Sequence, residues 1–228
     1  MRACPRDVRG QSGIALLAGL VLLAAISLLA LVAAGSMSLQ RQMAGNFSDS
    51  QRARESAGVA VAQAEAVLNG IAHDERNPGC LSDCFNTPLN TVIRQPAELP
   101  LHPEFEDASW WYSWASEVGT DPVSGKRLGE SWGFGSEPPR FLIEELHFDN
   151  LASVKPADAP QLDGIGYYRI LGRGAGQGPA AVAVLEAIIA RPWLSDPSAE
   201  PDTNDNSDFC APFKTWYDCG RMAGRQLR

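Results

Sequence analysis

The side chains of this chain that could do chemistry include five cysteines, four of which lie in two close pairs. Cys80 and Cys84 form one pair and Cys210 and Cys219 the other, while Cys4 stands alone near the N-terminus. The spacings are C-x3-C and C-x8-C, and the second is longer than the short spacing typical of zinc sites. We expect disulfides, which need an oxidising compartment. Four cysteines allow three connectivities, and pairing within each close pair is the simplest.

A run of oxygen-bearing side chains near the C-terminus resembles the start of a calcium-binding loop. Its candidate ligands stand at alternate positions: Asp202, Asn204, Asn206 and Asp208. An EF-hand loop also needs Gly at position 6 and Glu at position 12, where this chain has Ser207 and Phe213. We therefore expect a solvated acidic loop, with calcium as the one candidate cofactor.

The other motifs predict no catalysis. The glycine-rich residues 172–178 could suggest a dinucleotide site, but such a site needs a helix after the glycines. Pro179 and a strand-like run follow instead, so we predict a hairpin loop over 172–179. No Gly-x-Ser-x-Gly or His-Glu-x-x-His motif occurs, and the histidines stand apart with no metal-ligand spacing: His73, His102 and His147. We predict that the chain is not an enzyme and binds no metal beyond the calcium candidate.

One N-terminal apolar segment determines where the rest of the chain lies relative to a membrane. Residues 10–40 contain no charge, and residues 14–34 are almost entirely Leu, Ala, Val and Ile. The segment exceeds the roughly 7–15 apolar residues of a signal peptide and is long enough to cross a bilayer. Basic residues before it would keep the N-terminus in the cytoplasm: Arg2, Arg6 and Arg9. The remainder of the chain would then lie outside the cytoplasm.

The helical pattern continues beyond the membrane segment. Small and apolar residues recur there at steps of three and four: Ala53, Ala57, Ala60, Ala64, Val67, Leu68 and Ile71. This spacing predicts an amphipathic helix that packs on the rest of the protein. Gly45 and Asn46 interrupt the pattern and predict a bend or a melted turn.

The C-terminal part of the chain predicts an α+β head with an antiparallel β-sheet. Three runs have strand character, at 140–148, 167–171 and 181–190, and 172–179 joins the last two. Four tryptophans are expected in the core, with a partner-facing or carbohydrate-facing patch as the alternative: Trp110, Trp111, Trp114 and Trp132.

The charge balance excludes one class of partner. The net charge is −8, and it becomes −10 without residues 1–13, which hold three arginines and one aspartate. Binding to nucleic acid requires clustered Lys and Arg. We therefore predict no nucleic-acid partner.

The N-terminal residues resemble those of a known family. Residues 13–17 (GIALL), preceded by basic residues, look like a prepilin peptidase site that opens a pilin helix. Residues 39–46 (LQRQMAGN) closely resemble the motif that follows this helix in PilX-type minor pilins of the type IV pilus, and residues 55–68 continue the pattern. The resemblance covers about the first 70 residues, with a weaker match in the last two predicted strands.

This resemblance implies a processing site and a division of the chain. It implies cleavage after Gly13, with Gly10 as the alternative, and N-methylation of Ile14. Four parts follow: a leader at 1–13, a transmembrane helix at 14–39, an amphipathic continuation at 40–71, and a pilin-like head at 72–228 that ends in a disulfide loop.

One departure from major pilins affects the expected position in a pilus. Major pilins carry Glu at the fifth mature position, which is thought to pair with the N-terminal amine of a neighbouring subunit. Counted from Ile14, that position is Ala18. Since a charge in lipid is costly unless it is paired, its absence favours a tip or initiation subunit.

The function implied by the resemblance is structural. The chain would prime pilus assembly and sit at the pilus tip with other minor pilins and an adhesin. Its further partners would be the prepilin peptidase, the inner-membrane assembly platform and the major pilin. Before assembly it would span the inner membrane once with a periplasmic head, and afterwards it would be part of the extracellular pilus.

Other functions stay open at this point. A minor pseudopilin of a type II secretion system shares the leader and the helix. A membrane-anchored periplasmic enzyme or binding protein would keep its N-terminus uncleaved. A secreted adhesin domain would use its tryptophans on glycans.

Overall fold

The computed structural model describes residues 12–77, 80, 84–128, 135–150, 160–195 and 209–228. Two compact units divide the chain, Met1–Ser48 and Asp49–Arg228, and we call the second unit the head. The elements are α1 Ser12–Asn69, β1 Ile93–Arg94, α2 Ala108–Trp114, β2 Ser116–Glu117, β3 Arg140–Asn150, β4 Leu162–Ala175, β5 Val182–Leu194 and β6 Gly220–Gln226. The chain is therefore α+β.

The first unit, as far as it is described, is the N-terminal part of α1. Its residues are rich in Leu and Ala, which are favourable in helices. The helix continues without interruption through Gly45 and Asn46, so the melted turn considered there is absent. A single Gly or Asn costs a helix only about 1 kcal/mol or less, which is too little to break one flanked by favourable residues.

The sheet of the head is mixed, which corrects the expectation of an antiparallel sheet. Its order is β1-β3-β4-β5-β6, and β2 also pairs with β3. All neighbours are antiparallel except β1 and β3, where Ile93 lies opposite Ile143. Parallel neighbours need a long crossover connection, and the 45 residues from 95 to 139, with α2 among them, are long enough to supply it.

The three strands expected from sequence are present but longer than expected. β4 extends from Leu162 to Ala175 and so includes Gly172 and Gly174, which were expected in the hairpin loop. The connection to β5 is the shorter segment 176–181. β-Propensity disfavours glycine, but contacts with the rest of the fold override propensity where a backbone must approach closely.

The core lies between α1 and one face of the sheet. Residues 53–68 of α1 bury a stripe of small and apolar side chains: Ala53, Ala57, Ala60, Val61, Ala64 and Leu68. The sheet contributes larger side chains to the same core: Phe141, Ile143, Tyr168, Ile170, Ile189 and Trp193. On the opposite face Trp111 of α2 packs on Leu142, Leu171 and Val184.

Glycines in β4 allow α1 to lie directly on the strand backbone. A Cβ atom on Gly172 would come within 2.5 Å of the Ala57 carbonyl oxygen and 2.7 Å of Val61 Cγ2. A Cβ atom on Gly174 would clash with the backbone of Ala53 and Ala57. Both glycines face α1 because alternate residues of a strand share one face. The helix and the strand can therefore be this close only while these positions lack side chains.

We predict that Gly174→Ala lowers the free energy of unfolding by roughly 2–3 kcal/mol, as overpacking of a core does. The control is Gly58→Ala, because a Cβ atom on Gly58 meets nothing within 4 Å. That change should stabilise the helix by about 0.5–1 kcal/mol. Urea unfolding of the full chain in detergent micelles, followed by tryptophan fluorescence, measures both. Equal effects of the two variants would contradict the close approach.

Candidate functional site: the apolar helix and its anchorage in the head

The N-terminal part of α1 exposes its apolar side chains. α1 is long and apolar enough, from Ile14 onward, to cross a membrane, and none of its most apolar stretch is buried. The first charged residue after Arg9 is Arg41. At 1.5 Å per residue, residues 14–40 span about 40 Å, which exceeds a hydrocarbon core of about 30 Å.

Two serine hydroxyls within this apolar segment donate hydrogen bonds to the helix itself. The Ser27 hydroxyl donates to the Leu23 carbonyl at 2.8 Å, and the Ser36 hydroxyl donates to the Ala33 carbonyl at 2.9 Å. An unsatisfied polar group costs several kcal/mol in lipid. These two bonds therefore lower the cost of placing Ser27 and Ser36 in a bilayer.

A narrower apolar stripe follows the membrane-length segment. Leu39, Met43 and Phe47 stand four residues apart and all are exposed. Their neighbours are polar, with Gln40, Arg41 and Gln42 between the first two. Residues four apart lie on the same face of a helix. The stripe gives the helix an apolar contact surface beyond its most apolar stretch.

Asp49 fastens the helix at the beginning of the head. Its carboxylate accepts hydrogen bonds from the backbone N–H groups of Gln177 and Gly178, the second at 2.8 Å. Both belong to the connection between β4 and β5. Hydrogen bonds to a carboxylate are stronger than those between neutral groups. The bond pair holds this connection against the first helical turn of the head.

A buried polar cluster fastens the chain just after α1 ends. Arg191 is fully buried, and its guanidinium donates to the Ile71 carbonyl and lies 3.9 Å from the Trp193 ring centroid. Cations are favourable near the C-terminal carbonyls of a helix. Arg76 and Glu145 form a second contact, a buried ion pair at 2.7 Å. The segment after the helix is thereby bound to β3 and β5.

His73 belongs to this cluster in its neutral form. Its Nδ1 accepts a hydrogen bond from the Leu194 backbone N–H at 2.9 Å, and its ring stacks on Phe209. Burial, together with the smaller effect of the nearby Arg191 charge, lowers the pKa of His73 from 6.5 to about 4, against an opposing contribution from Asp74. Protonation of Nδ1 would remove the acceptor that holds Leu194.

Two disulfides close loops of the head. Cys80 bonds to Cys84, and Cys210 bonds to Cys219, each with its Cα atoms 5.4 Å apart. Of the three connectivities that four cysteines allow, this is the one in which each cysteine bonds to its near neighbour in the sequence. Phe213 inside the second loop is buried against the strands β4 and β5, so the loop is attached to the core as well as closed.

Those of the remaining candidate residues that the structure describes do not form a site together. Trp111 is buried, Trp110 is partly buried and Trp114 is exposed, while Trp132 lies outside the described residues. The calcium candidates 202–208 also lie outside them. Of the other histidines, His102 contacts Glu104 at 3.1 Å, and His147 is exposed and stacks on Tyr167. Within the described ranges no group of three or more His, Cys, Asp or Glu could hold a metal ion.

The residues expected to be processed lie at the start of the described chain. α1 begins at Ser12 and so includes Gly13 and Ile14, while Gly10 lies outside the described residues.

Sequence reasoning missed the roles of Asp49, Arg191 and Gly172. No local sequence pattern indicates the roles of Asp49 and Arg191, because their hydrogen-bond partners are more than 100 residues away along the chain.

No protein-family profile, curated protein or solved structure matches the chain.

We predict that Asp49→Ala lowers the free energy of unfolding by about 1–2 kcal/mol, since two hydrogen bonds to a charged acceptor are lost. Asp49→Asn should lose less, because its amide oxygen still accepts one bond. Glu55→Ala, on an exposed position of the same helix, should change stability by less than about 0.5 kcal/mol. Urea unfolding of the full chain measures all three, and equal losses for Asp49→Ala and Glu55→Ala would exclude the fastening role.

We predict a loss of stability as the pH falls from about 6.5 to 4. In that range the unfolded chain protonates His73 and the folded chain does not, so unfolding takes up a proton and is favoured. The loss should be on the order of 2 kcal/mol. His73→Asn keeps an acceptor for Leu194 without titrating, and should remove this part of the pH dependence.

The control is His147→Asn, which changes an exposed histidine. Its profile of unfolding free energy against pH should match that of the unmodified chain. The same pH dependence in His73→Asn as in His147→Asn would contradict the burial of a neutral His73.

Proposed function

We propose that this chain is a minor pilin of a type IV pilus, a structural subunit that primes assembly and sits at the pilus tip. The observation that carries the proposal is that α1 combines two different segments. One segment exposes apolar side chains over a membrane length, and residues 53–68 of the same helix are packed on the sheet of the head. A subunit that is stored in a membrane and then moved into a fibre needs the exposed segment to contact lipid or other helices and the packed segment to hold its head.

Before assembly, the N-terminal part of α1 would hold the subunit in the membrane. The apolar segment partitions into the inner membrane, and the basic residues before it keep the N-terminus in the cytoplasm. The head then lies in the periplasm, where its two disulfides are stable. The fastening of α1 by Asp49 and by the β4 glycines allows force on the helix to be transmitted to the head.

Assembly would use the same apolar surface in a second environment. Once the helix leaves the bilayer, its exposed side chains need new apolar neighbours. The helices of other minor pilins and of the major pilin would supply them, and the stripe of Leu39, Met43 and Phe47 extends this contact beyond the membrane segment. Position 18 is Ala, so the helix lacks the Glu carboxylate with which a major pilin is thought to pair the N-terminal amine of a neighbouring subunit.

N-terminal processing tests this proposal. Mass spectrometry of the chain extracted from membranes should find a mature N-terminus at N-methylated Ile14. An intact Met1 would favour a membrane-anchored enzyme or binding protein. Cleavage near Gly35, at the end of the most apolar stretch, would favour a secretory signal, and either result would overturn the proposal.

The cleavage position can be tested with a pair of variants. Gly13→Leu should leave the leader uncleaved, because a bulky side chain at the scissile position does not fit a site that takes glycine. Gly10→Leu is the matched control and should be processed normally. If the effects are reversed, cleavage follows Gly10, and the mature numbering shifts by three residues.

Deletion of the coding region tests the priming role. Surface pili should be lost, and expression of the unmodified chain should restore them. Normal pili together with loss of protein secretion would instead indicate a type II secretion pseudopilin. Restoration by the Gly13→Leu variant would contradict a need for processing.

A further inference from the structure

β6 forms the longer open edge of the sheet in the part of the chain that the structure describes. It has seven residues, and among the described strands it pairs only with β5. One row of its backbone N–H and C=O groups therefore points away from the sheet. Such an edge is a template on which another extended chain can add a strand. β1, at the opposite end of the sheet, has only two residues and offers a much shorter template.

A row of alternating charges crosses the sheet and ends at this edge. Arg169 of β4 forms ion pairs with Glu144 of β3 at 3.3 Å and with Glu186 of β5 at 2.9 Å. Glu186 also pairs with Arg225 of β6 at 2.8 Å, and at the other end of the row Arg94 of β1 stands opposite Glu144. We call these five residues the charge row. Because opposite charges on neighbouring strands stabilise their pairing, a strand added beside β6 would continue the row if it placed Asp or Glu next to Arg225.

The charge that this edge presents to solvent is positive. The Arg225 side chain is 70% exposed, whereas that of its partner Glu186 is 10% exposed. Arg221, the other charged residue of β6, is also exposed and pairs with the less exposed Glu65 of α1 at 2.7 Å. β6 itself contains no acidic residue. The edge therefore favours a carboxylate over a cation in the added strand.

A groove beside the edge has room for a side chain of the added strand. Its volume is about 430 Å³, and it is lined by charged residues of the two ion pairs of β6 and by these small or apolar residues: Gly58, Val61, Leu185, Ala187 and Gly224. A Cβ atom on Gly58 would meet nothing within 4 Å, so the space above this part of α1 is open. Successive side chains of a strand point to opposite faces. A strand that turns a carboxylate toward Arg225 therefore turns its next side chain toward this groove, where an apolar side chain fits.

The same charges argue against a second copy of this chain as the occupant. Pairing of β6 with the β6 of another copy would bring Arg221 and Arg225 of both copies together, without an acidic residue in either strand. Like charges on neighbouring strands destabilise their pairing. A helix is also unsuited to the edge, because its backbone groups are already paired within it.

We propose that β6 binds an extended segment of a partner protein, which adds a strand to the sheet. The segment has Asp or Glu beside Arg225 and, as its next residue, an apolar side chain in the groove. Backbone hydrogen bonds supply affinity, and the charge row and the groove select the segment. The proposal rests on the sheet of the head and not on the exposed part of α1, so it can hold if the pilin proposal fails.

Photo-crosslinking in the native membrane tests the occupant. Met222 and Gln226, both exposed on β6, are replaced one at a time by p-benzoylphenylalanine in the full chain. Leu128, an exposed residue outside β6, is the control position. Adducts are identified by mass spectrometry of the crosslinked peptides. We expect positions 222 and 226, but not 128, to crosslink to one segment of one protein.

The positions of the crosslinks within that segment distinguish an added strand from other contacts. An added strand runs beside β6 residue by residue, so the two crosslinked residues should be about four positions apart. Between them we expect Asp or Glu next to an apolar residue. Crosslinks scattered over distant parts of the partner, or a segment without an acidic residue, would contradict the proposal. So would an adduct with lipid, with a second copy or with another part of the same chain, or the absence of any adduct.

Two variants, each combined with the photo-reactive residue at 222, test the charge and the groove separately. Arg225→Glu should lower the yield of the adduct about tenfold or more, because it places like charges together, while Arg225→Lys should retain most of it. Gly58→Phe fills the groove without changing β6 and should also lower the yield. Arg127→Glu, at an exposed position outside β6, is the control and should leave it unchanged.

Retained tryptophan fluorescence shows that each variant is folded. Should Arg225→Glu disturb β6 through repulsion by Glu186, Gly58→Phe still tests the proposal, because it lies on α1. A yield that neither Arg225→Glu nor Gly58→Phe lowers would overturn the proposal.

Discussion

The close contact between α1 and β4 is the constraint on which the rest of the head depends. The contact exists because Gly172 and Gly174 offer no side chain where Ala53, Ala57 and Val61 lie on the strand. Such proximity buries the small face of α1 against the strand, so residues with little apolar surface still contribute to the core. A larger residue at either position would move the helix away from the sheet and open the core that the larger side chains fill.

This contact gives one helix two roles. Residues 53–68 are committed to the sheet, while Leu39, Met43 and Phe47 remain exposed and available to lipid or to other helices. Hydrogen bonds and ion pairs fasten the committed segment at both ends. Asp49 holds its beginning, and Arg191 and Arg76 hold the chain just after it, so displacement of the helix would disturb buried polar contacts, which is costly.

Sequence alone predicts the elements whose signal is local. α1 and the centres of β3, β4 and β5 follow from helical periodicity and from β-branched runs. β6 was missed because its sequence GRMAGRQ has weak β-propensity, and it forms a strand through its pairing with β5. The parallel pairing of β1 depends on a long connection, whose course no local pattern encodes.

Backbone amide hydrogen exchange of the full chain in lipid nanodiscs tests the anchorage of α1 most directly. Amides of residues 53–68 should exchange as slowly as those of β4, since both belong to one buried core and would open together. Rapid exchange across residues 53–68, with β4 still protected, would mean that the helix is a loose tether and would contradict the account.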